Sequence, residues 1–127
     1  MIRCTVRHHL VAILAVTGGL VLATPAGAAD ATKGAEQQCI RAADIDHTTV
    51  IDGQTILVTM RRNQFKRIDL LSRCHGLAFE EGFAYSMQNY ELCKSTPLRV
   101  INSGGVCAID KIISIDQAEA KALLAKK

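Results

Sequence analysis

Beyond its N-terminal segment, the sequence offers few side chains with the means to do chemistry: Cys39, Cys74, Cys93 and Cys107, His47 and His75, and the acidic pairs Asp44/Asp46 and Glu80/Glu81. Cys74 with His75 or His47 would supply a thiolate nucleophile and its base. Adjacent residues on an extended chain point to opposite sides, so Cys74 and His75 are poorly placed to face one substrate. A disulfide at Cys74 would remove the nucleophile altogether. No G-x-S-x-G, S-x-x-K, H-E-x-x-H or phosphate loop occurs. Gly104-Gly105 lacks the lysine and helix that a phosphate cradle needs, and reads as a turn. Asp44 and Asp46 would share one face of a strand, the arrangement of a glycosidase-like acid–base pair. Solvated carboxylates at turns and strand ends are far commoner, and Glu80/Glu81 reads the same way. The cysteines lie 35, 19 and 14 positions apart with no C-x-x-C pair, which matches no zinc finger or ribbon. Two histidines without an acidic or thiolate box do not make a metal site. The expectation is a protein without cofactor, metal or enzymatic activity.

One stretch carries a charge surplus. Met60 to Cys74 holds Arg61, Arg62, Lys66, Arg67 and Arg73 against Asp69 alone, +4 net. A basic hairpin of this kind could meet anionic lipid headgroups, envelope polymers or an acidic protein. The competing reading is a solvated turn whose edge charges discourage strand addition.

The compartment is written at the N-terminus. Arg3 and Arg7 precede an apolar run of 14 residues, Leu10 to Ala23, followed by the small-residue site Ala26-Gly27-Ala28. This is the three-part pattern of a Sec-type secretory signal, with cleavage after Ala28. The run is shorter than the ~20 residues needed to span hydrocarbon, so no transmembrane segment is expected after processing. Residues 1–28 are read as the signal, 29–38 as a flexible mature N-terminus, and 39–127 as one domain. Removing Arg3 and Arg7 lowers the formal charge from +3 to +1, too little to suggest a nucleic-acid partner. Cys4 leaves with the signal, and the remaining four cysteines in an oxidising compartment read as two disulfides.

The domain is organised around Thr48–Leu71, which reads as three strands joined by two tight turns. Thr48, Val50, Ile56, Val58 and Met60 are all even-numbered, and they share one sheet face only if the first turn keeps parity. A three-residue loop ending at Gly53, with that glycine in the left-handed region, pairs Val50 with Gln54 and Thr48 with Ile56. A second loop at Arg62-Asn63-Gln64 pairs Val58 with Ile68 and Ile56 with Leu70. Leu57 and Phe65 then fall on the opposite face, which also needs cover. Cys39-Ile40-Arg41-Ala42-Ala43 begins the ordered part, and either Ile45 starts a strand or the segment forms one short helical turn. Past the break at Cys74-His75-Gly76, a turn through Glu81 and a strand at Phe83–Met87 are expected. Leu98–Ile101 and Val106–Ile109 flank Asn102-Ser103-Gly104-Gly105, a hairpin signal, and Ile112, Ile113 and Ile115 extend the last strand. Asp116 with Glu119 resembles a capping box opening a helix to about Lys126, with an apolar stripe of Ala120, Leu123 and Leu124. The five aromatic rings, with no tryptophan, are assigned to the core, leaving none for stacking on sugars or bases.

The strings CIRAADID, VIDGQTIL, FKRIDLLSRCHGLAF, FAYSMQNYELC and GGVCAID, with a final helix, together resemble the bacterial domain of unknown function 6491 family. The likeness spans about Cys39 to Asp116. Members usually read Cys-Pro-Gly-Leu where this sequence has Cys74-His75-Gly76-Leu77, so His75 makes that turn less rigid. The resemblance implies a small exported protein with no established activity. Four cysteines allow three connectivities. Cys74–Cys107 with Cys39–Cys93 is favoured, because it joins the end of the third strand to the last hairpin, and the resemblance leans the same way. The competitor is Cys39–Cys74 with Cys93–Cys107, which closes shorter loops. The fold expected is mainly β, a small antiparallel sheet or partly open barrel with a C-terminal helix, stapled by disulfides. The function expected is a non-enzymatic binding or structural role in the periplasm or outside the cell, with an anionic envelope component or exported protein as partner. The alternative is a periplasmic inhibitor of an exported enzyme.

Overall fold

The computed structural model describes residues 33–127 except Gln88; the signal-like segment 1–28 and residues 29–32 lie outside the described residues. The chain is mainly β, an antiparallel sheet curled into a half-barrel and closed by a C-terminal helix. Strands β1 (Glu36–Gln37), β2 (Cys39–Arg41), β3 (Ile45–Val50), β4 (Thr55–Met60) and β5 (Gln64–Leu70) come first. A one-turn helix α1 (Leu77–Glu80) leads to β6 (Phe83–Tyr85), β7 (Glu91–Cys93), β8 (Pro97–Val100), the long β9 (Val106–Ile115) and helix α2 (Gln117–Leu124). The sheet runs β3-β4-β5-β9-β8-β6, with β1 on the free edge of β9 and a separate ribbon formed by β2 and β7.

Period-two parity decides what this sheet buries. Val50, Ile56, Val58, Met60, Ile68 and Leu70 point into the concave face and form one core with Ile109 and Ile112. The register shifts between Asp69 and Leu70, where β9 carries Asp110 as an extra residue. That bulge puts odd-numbered Cys107 and Ile109 on the same face as even-numbered Ile112. The β2–β7 ribbon fills the concavity: Ile40 and Leu92 sit opposite each other and both are buried in the main core. On the convex face, Leu57, Ile115, Ala120 and Leu123 form a second core, flanked by Ile51, Phe65 and Ile113. The cover that Leu57 and Phe65 require is therefore α2. Asp116 caps this helix by accepting the Glu119 N–H at 2.8 Å, while Leu124 of the expected stripe stays half-exposed.

Several expectations are corrected. Val50 pairs with Ile56 instead of Gln54, and Thr48 with Val58. The reason is Asp52, whose Oδ1 accepts the N–H groups of Gln54 and Thr55 at 2.7 and 2.8 Å and so organises a wider loop. Gly53 is accordingly not left-handed; among the described glycines, Gly34, Gly76 and Gly104 are. The next turn is Arg61-Arg62-Asn63, with φ of 63° at Arg62 and 56° at Asn63, and it pairs Val58 with Lys66 and Ile56 with Ile68. Both registers slip by two residues and so preserve the faces. Both alternatives left open near Ile45 occur: a 3-10 turn spans Ala42–Asp44 after the short strand β2, and Ile45 then starts β3. The turn through Glu81 contains α1, and the strand after it stops at Tyr85. Ordered structure also starts before Cys39. Gly34 donates to Ser114 O at 2.7 Å, Glu36 and Gln37 pair with Ile113 and Ile112, and Lys33 bonds Asp116 at 2.6 Å.

Candidate interaction surface

The chemistry-bearing residues are largely consumed by structure. Cys39 is bridged to Cys93, its direct cross-strand partner in the ribbon, and Cys74 to Cys107. Ligand atoms of Cys39, Cys93 and Glu91 lie within 4.8 Å of one another. With both sulfurs bonded to each other, one carboxylate remains, which is no metal site. Asp46 accepts from Nδ1 of His47 at 2.9 Å on an exposed edge strand, whereas Asp44 belongs to the preceding 3-10 turn. His47 lies opposite Thr59, near the Arg61–Asn63 turn, and His75 sits beyond the far end of β5. Glu80 and Glu81 are divided. Glu80 accepts the N–H groups of Asn102 and Ser103 at 2.7 and 2.8 Å, and these bonds hold its carboxyl below the ordinary value. Glu81 pairs with Lys127 at 3.1 Å.

The five cations of the basic stretch do not form one patch. Arg61 and Arg62 are exposed on the β4–β5 turn, and Arg73 is exposed past the other end of β5. A strand of this length holds those two positions about 20 Å apart. Arg67 lies on the convex face, where its guanidinium donates to Asp69 at 3.0 Å and to Glu119 at 2.7 Å, joining α2 to the sheet. Lys66 is interior. It is 3% exposed and directly opposite Val58 and Ser114, and its Nζ donates to the Ser114 hydroxyl, itself 1% exposed, at 2.7 Å. Burial pushes its ammonium below the ordinary 10.5. Among the described residues it has no carboxylate partner. Parity alone would have found this residue, since Lys66 shares its even number with Ile68 and Leu70. A serine bonded to a lysine is the pairing of some acyl-transfer enzymes, but Ser114 Oγ here is sealed from any carbonyl substrate.

The exposed surface that remains distinctive is the rim at the Arg73 end. Three connections converge there. Cys74 N–H donates to Gly53 O at 2.7 Å, Leu71 N–H to Ala108 O at 3.0 Å, and Ile101 N–H to Gly82 O at 3.4 Å. Gly76 starts α1 at φ 82°, and a Cβ there would lie 2.5 Å from Ser103 Oγ, so both conformation and space require glycine. At Gly105 a Cβ would meet His75 O at 2.8 Å. The Cys74–Cys107 bridge clamps the same junction. On this braced platform Phe79 is 93% exposed, Leu71 70% and Ile101 62%. The assignment of all rings to the core is thus corrected: Phe65, Phe83 and Tyr85 pack on the cores, while Phe79 and Tyr90 face outward.

No helix among the described residues is long and apolar enough to cross a membrane. No curated protein and no solved structure matches the chain. A family model does, and its match extends well beyond the Cys39–Asp116 stretch that carries the likeness in sequence. With residues 7–127 matched, the chain belongs to the Family of unknown function (DUF6491).

Proposed function

We propose that this protein is exported and acts as a non-enzymatic binding domain at the cell envelope. The observation that carries this reading is the cysteine frame: all four cysteines outside the leader-like segment are paired in two intrachain bridges, as suits an oxidising compartment. The Arg3–Ala28 pattern supports the same route. Support for binding over catalysis comes from where the reactive groups went. Thiols are closed, Asp52, Glu80 and Asp116 accept backbone N–H groups, Glu36, Asp69, Glu81 and Glu119 pair with cations, and Lys66–Ser114 is sealed. The test is recovery of tagged protein from cell fractions. It is expected in the envelope or periplasmic fraction, with Ala29 or Asp30 at its N-terminus. Met1 retained on cytosolic material would overturn export. A single stoichiometric exported enzyme co-purifying with it would favour the inhibitor reading.

A further inference from the structure

Parity sorts the β2–β7 ribbon as it sorts the sheet. Ile40 and Leu92 point into the core, so their flanking residues Cys39, Arg41, Glu91 and Cys93 lie on the outer face. There the ligand atoms of Cys39, Cys93 and Glu91 lie within 4.8 Å of one another, and all three residues are part-exposed. Among the described residues, no other three Cys, His, Asp or Glu side chains gather this closely. Glu91 forms none of the salt bridges of the described residues, and Lys94, next in sequence to Cys93, is taken by Glu36. The two bridges differ in access. Cys74 and Cys107 are only 3% and 7% exposed, whereas Cys39–Cys93 is open to a reductant in solution. The ribbon also has ties besides its sulfur bond. Lys94 N–H donates to Gln38 O at 2.8 Å and Ala42 N–H to Tyr90 O at 2.9 Å, one at each end, while Ile40 and Leu92 anchor the middle. Opening the bridge therefore leaves two thiols and a carboxylate side by side. Tetrahedral zinc, with Zn–S bonds of ~2.3 Å, holds two sulfurs about 3.8 Å apart. Facing cross-strand side chains reach that separation by rotation.

We propose that the Cys39–Cys93 bridge gates a metal site: once reduced, Cys39, Cys93 and Glu91 hold a thiophilic divalent cation of the zinc class. A dithiol reductant supplies the electrons. One of its thiolates attacks a bridge sulfur and expels the other, its second thiol then closes the donor's own disulfide, and two protein thiols remain. Zinc displaces both thiol protons, and water completes the fourth position. Two thiolates favour zinc or cadmium over magnesium or calcium. The site stands apart from the envelope role, because purified protein reports on it whatever its compartment. The test is limited reduction of the purified, disulfide-bonded protein by a water-soluble phosphine, then alkylation mapping and titration with cadmium, whose thiolate charge-transfer band reports ligation directly. Cys39 and Cys93 are expected to be labelled first, with Cys74–Cys107 still closed. A single cadmium ion should then bind per chain; zinc should compete for the site and magnesium should not. Zinc at about a hundredfold excess over its Kd should raise the melting temperature of the half-reduced protein by on the order of ten degrees. Glu91→Gln, at a part-exposed site outside both cores, should weaken binding about tenfold and leave the oxidised protein's melting temperature unchanged. Cys39→Ser with Cys93→Ser should abolish uptake. Simultaneous reduction of both bridges, no charge-transfer band in the half-reduced protein, or a band that persists in the serine pair overturns the site. Equal affinity in Glu91→Gln overturns it too, and decides the matter should the serine pair fail to fold. A band without the thermal gain assigns the metal to unfolded thiols and likewise overturns it.

Discussion

Lys66 and Arg67 are neighbours on one strand, and the two faces they occupy treat a cation in opposite ways. On the convex face Arg67 meets two carboxylates, Asp69 and Glu119, at the seam between β5 and α2. On the concave face Lys66 meets one neutral hydroxyl and otherwise apolar surroundings. The difference shows that strand parity outranks side-chain charge. Once Ile68 and Leu70 are committed to the core, Lys66 must follow them, whatever desolvation costs. The faces also differ in how they are held. The concave core is stapled by both disulfides, while the convex one is closed by a helix of eight residues without a covalent tie.

The largest test of that contrast is reduction. Cys39–Cys93 spans a separation of 54 residues and Cys74–Cys107 one of 33. Chain-entropy arguments give each bridge about 4 kcal/mol of constraint on the unfolded state. Together that approaches the whole stability of an ordinary domain, ~5–15 kcal/mol. A reductant should therefore unfold the protein or lower its melting temperature by tens of degrees. A shift of only a few degrees in a calorimetric scan would mean that the cores hold without their staples.

Next in size is the buried lysine. Ser114→Ala removes the one partner of Lys66 and should destabilise by ~1–3 kcal/mol. Lys66→Met with Ser114→Ala replaces the pair by apolar groups of similar volume and should stabilise by ~1–4 kcal/mol at neutral pH. The pH dependence has a definite sign. The folded value of Lys66 lies below 10.5, so at pH below that folded value the amine is charged in both states and the burial penalty is fully present. As pH rises toward 10.5 the folded state loses its proton first and the penalty disappears. The advantage of the double variant should shrink over that alkaline window in chemical denaturation. An advantage constant with pH would show that Lys66 is buried without electrostatic cost.

The sequence made the faces legible because a period of two survives errors of register. Both strand pairings moved by two residues, and Leu57, Ile68 and Val58 kept their sides. The Asp116 cap and the Asn102–Gly105 hairpin were legible for a similar reason, since each depends on residues within a few positions. What escaped depended on distant partners. Glu36 and Gln37 carry no apolar alternation and are ordered by the free edge of β9. The Asp110 bulge is set by pairing with Asp69 and Leu70, forty residues away in order of magnitude. The rim was hidden because Phe79 resembles every core phenylalanine until α1 turns it outward, and because the basic count hid the fact that its members face four directions.

The smallest effect belongs to Arg67. Its side chain and that of Glu119 are about 30% exposed, so solvent screens the pair and limits its worth. Arg67→Gln should cost about 1 kcal/mol or less, and Glu119→Gln a similar amount. Because both residues sit at the seam of α2, their coupling in a double-mutant cycle should be several tenths of a kcal/mol and should fade in high salt. The contrast with Lys66 lies in direction: neutralising the convex cation weakens the fold, while neutralising the concave one together with its serine strengthens it. Should Arg67→Gln also stabilise, parity would no longer explain the difference, since a cation would then be unfavourable on either face.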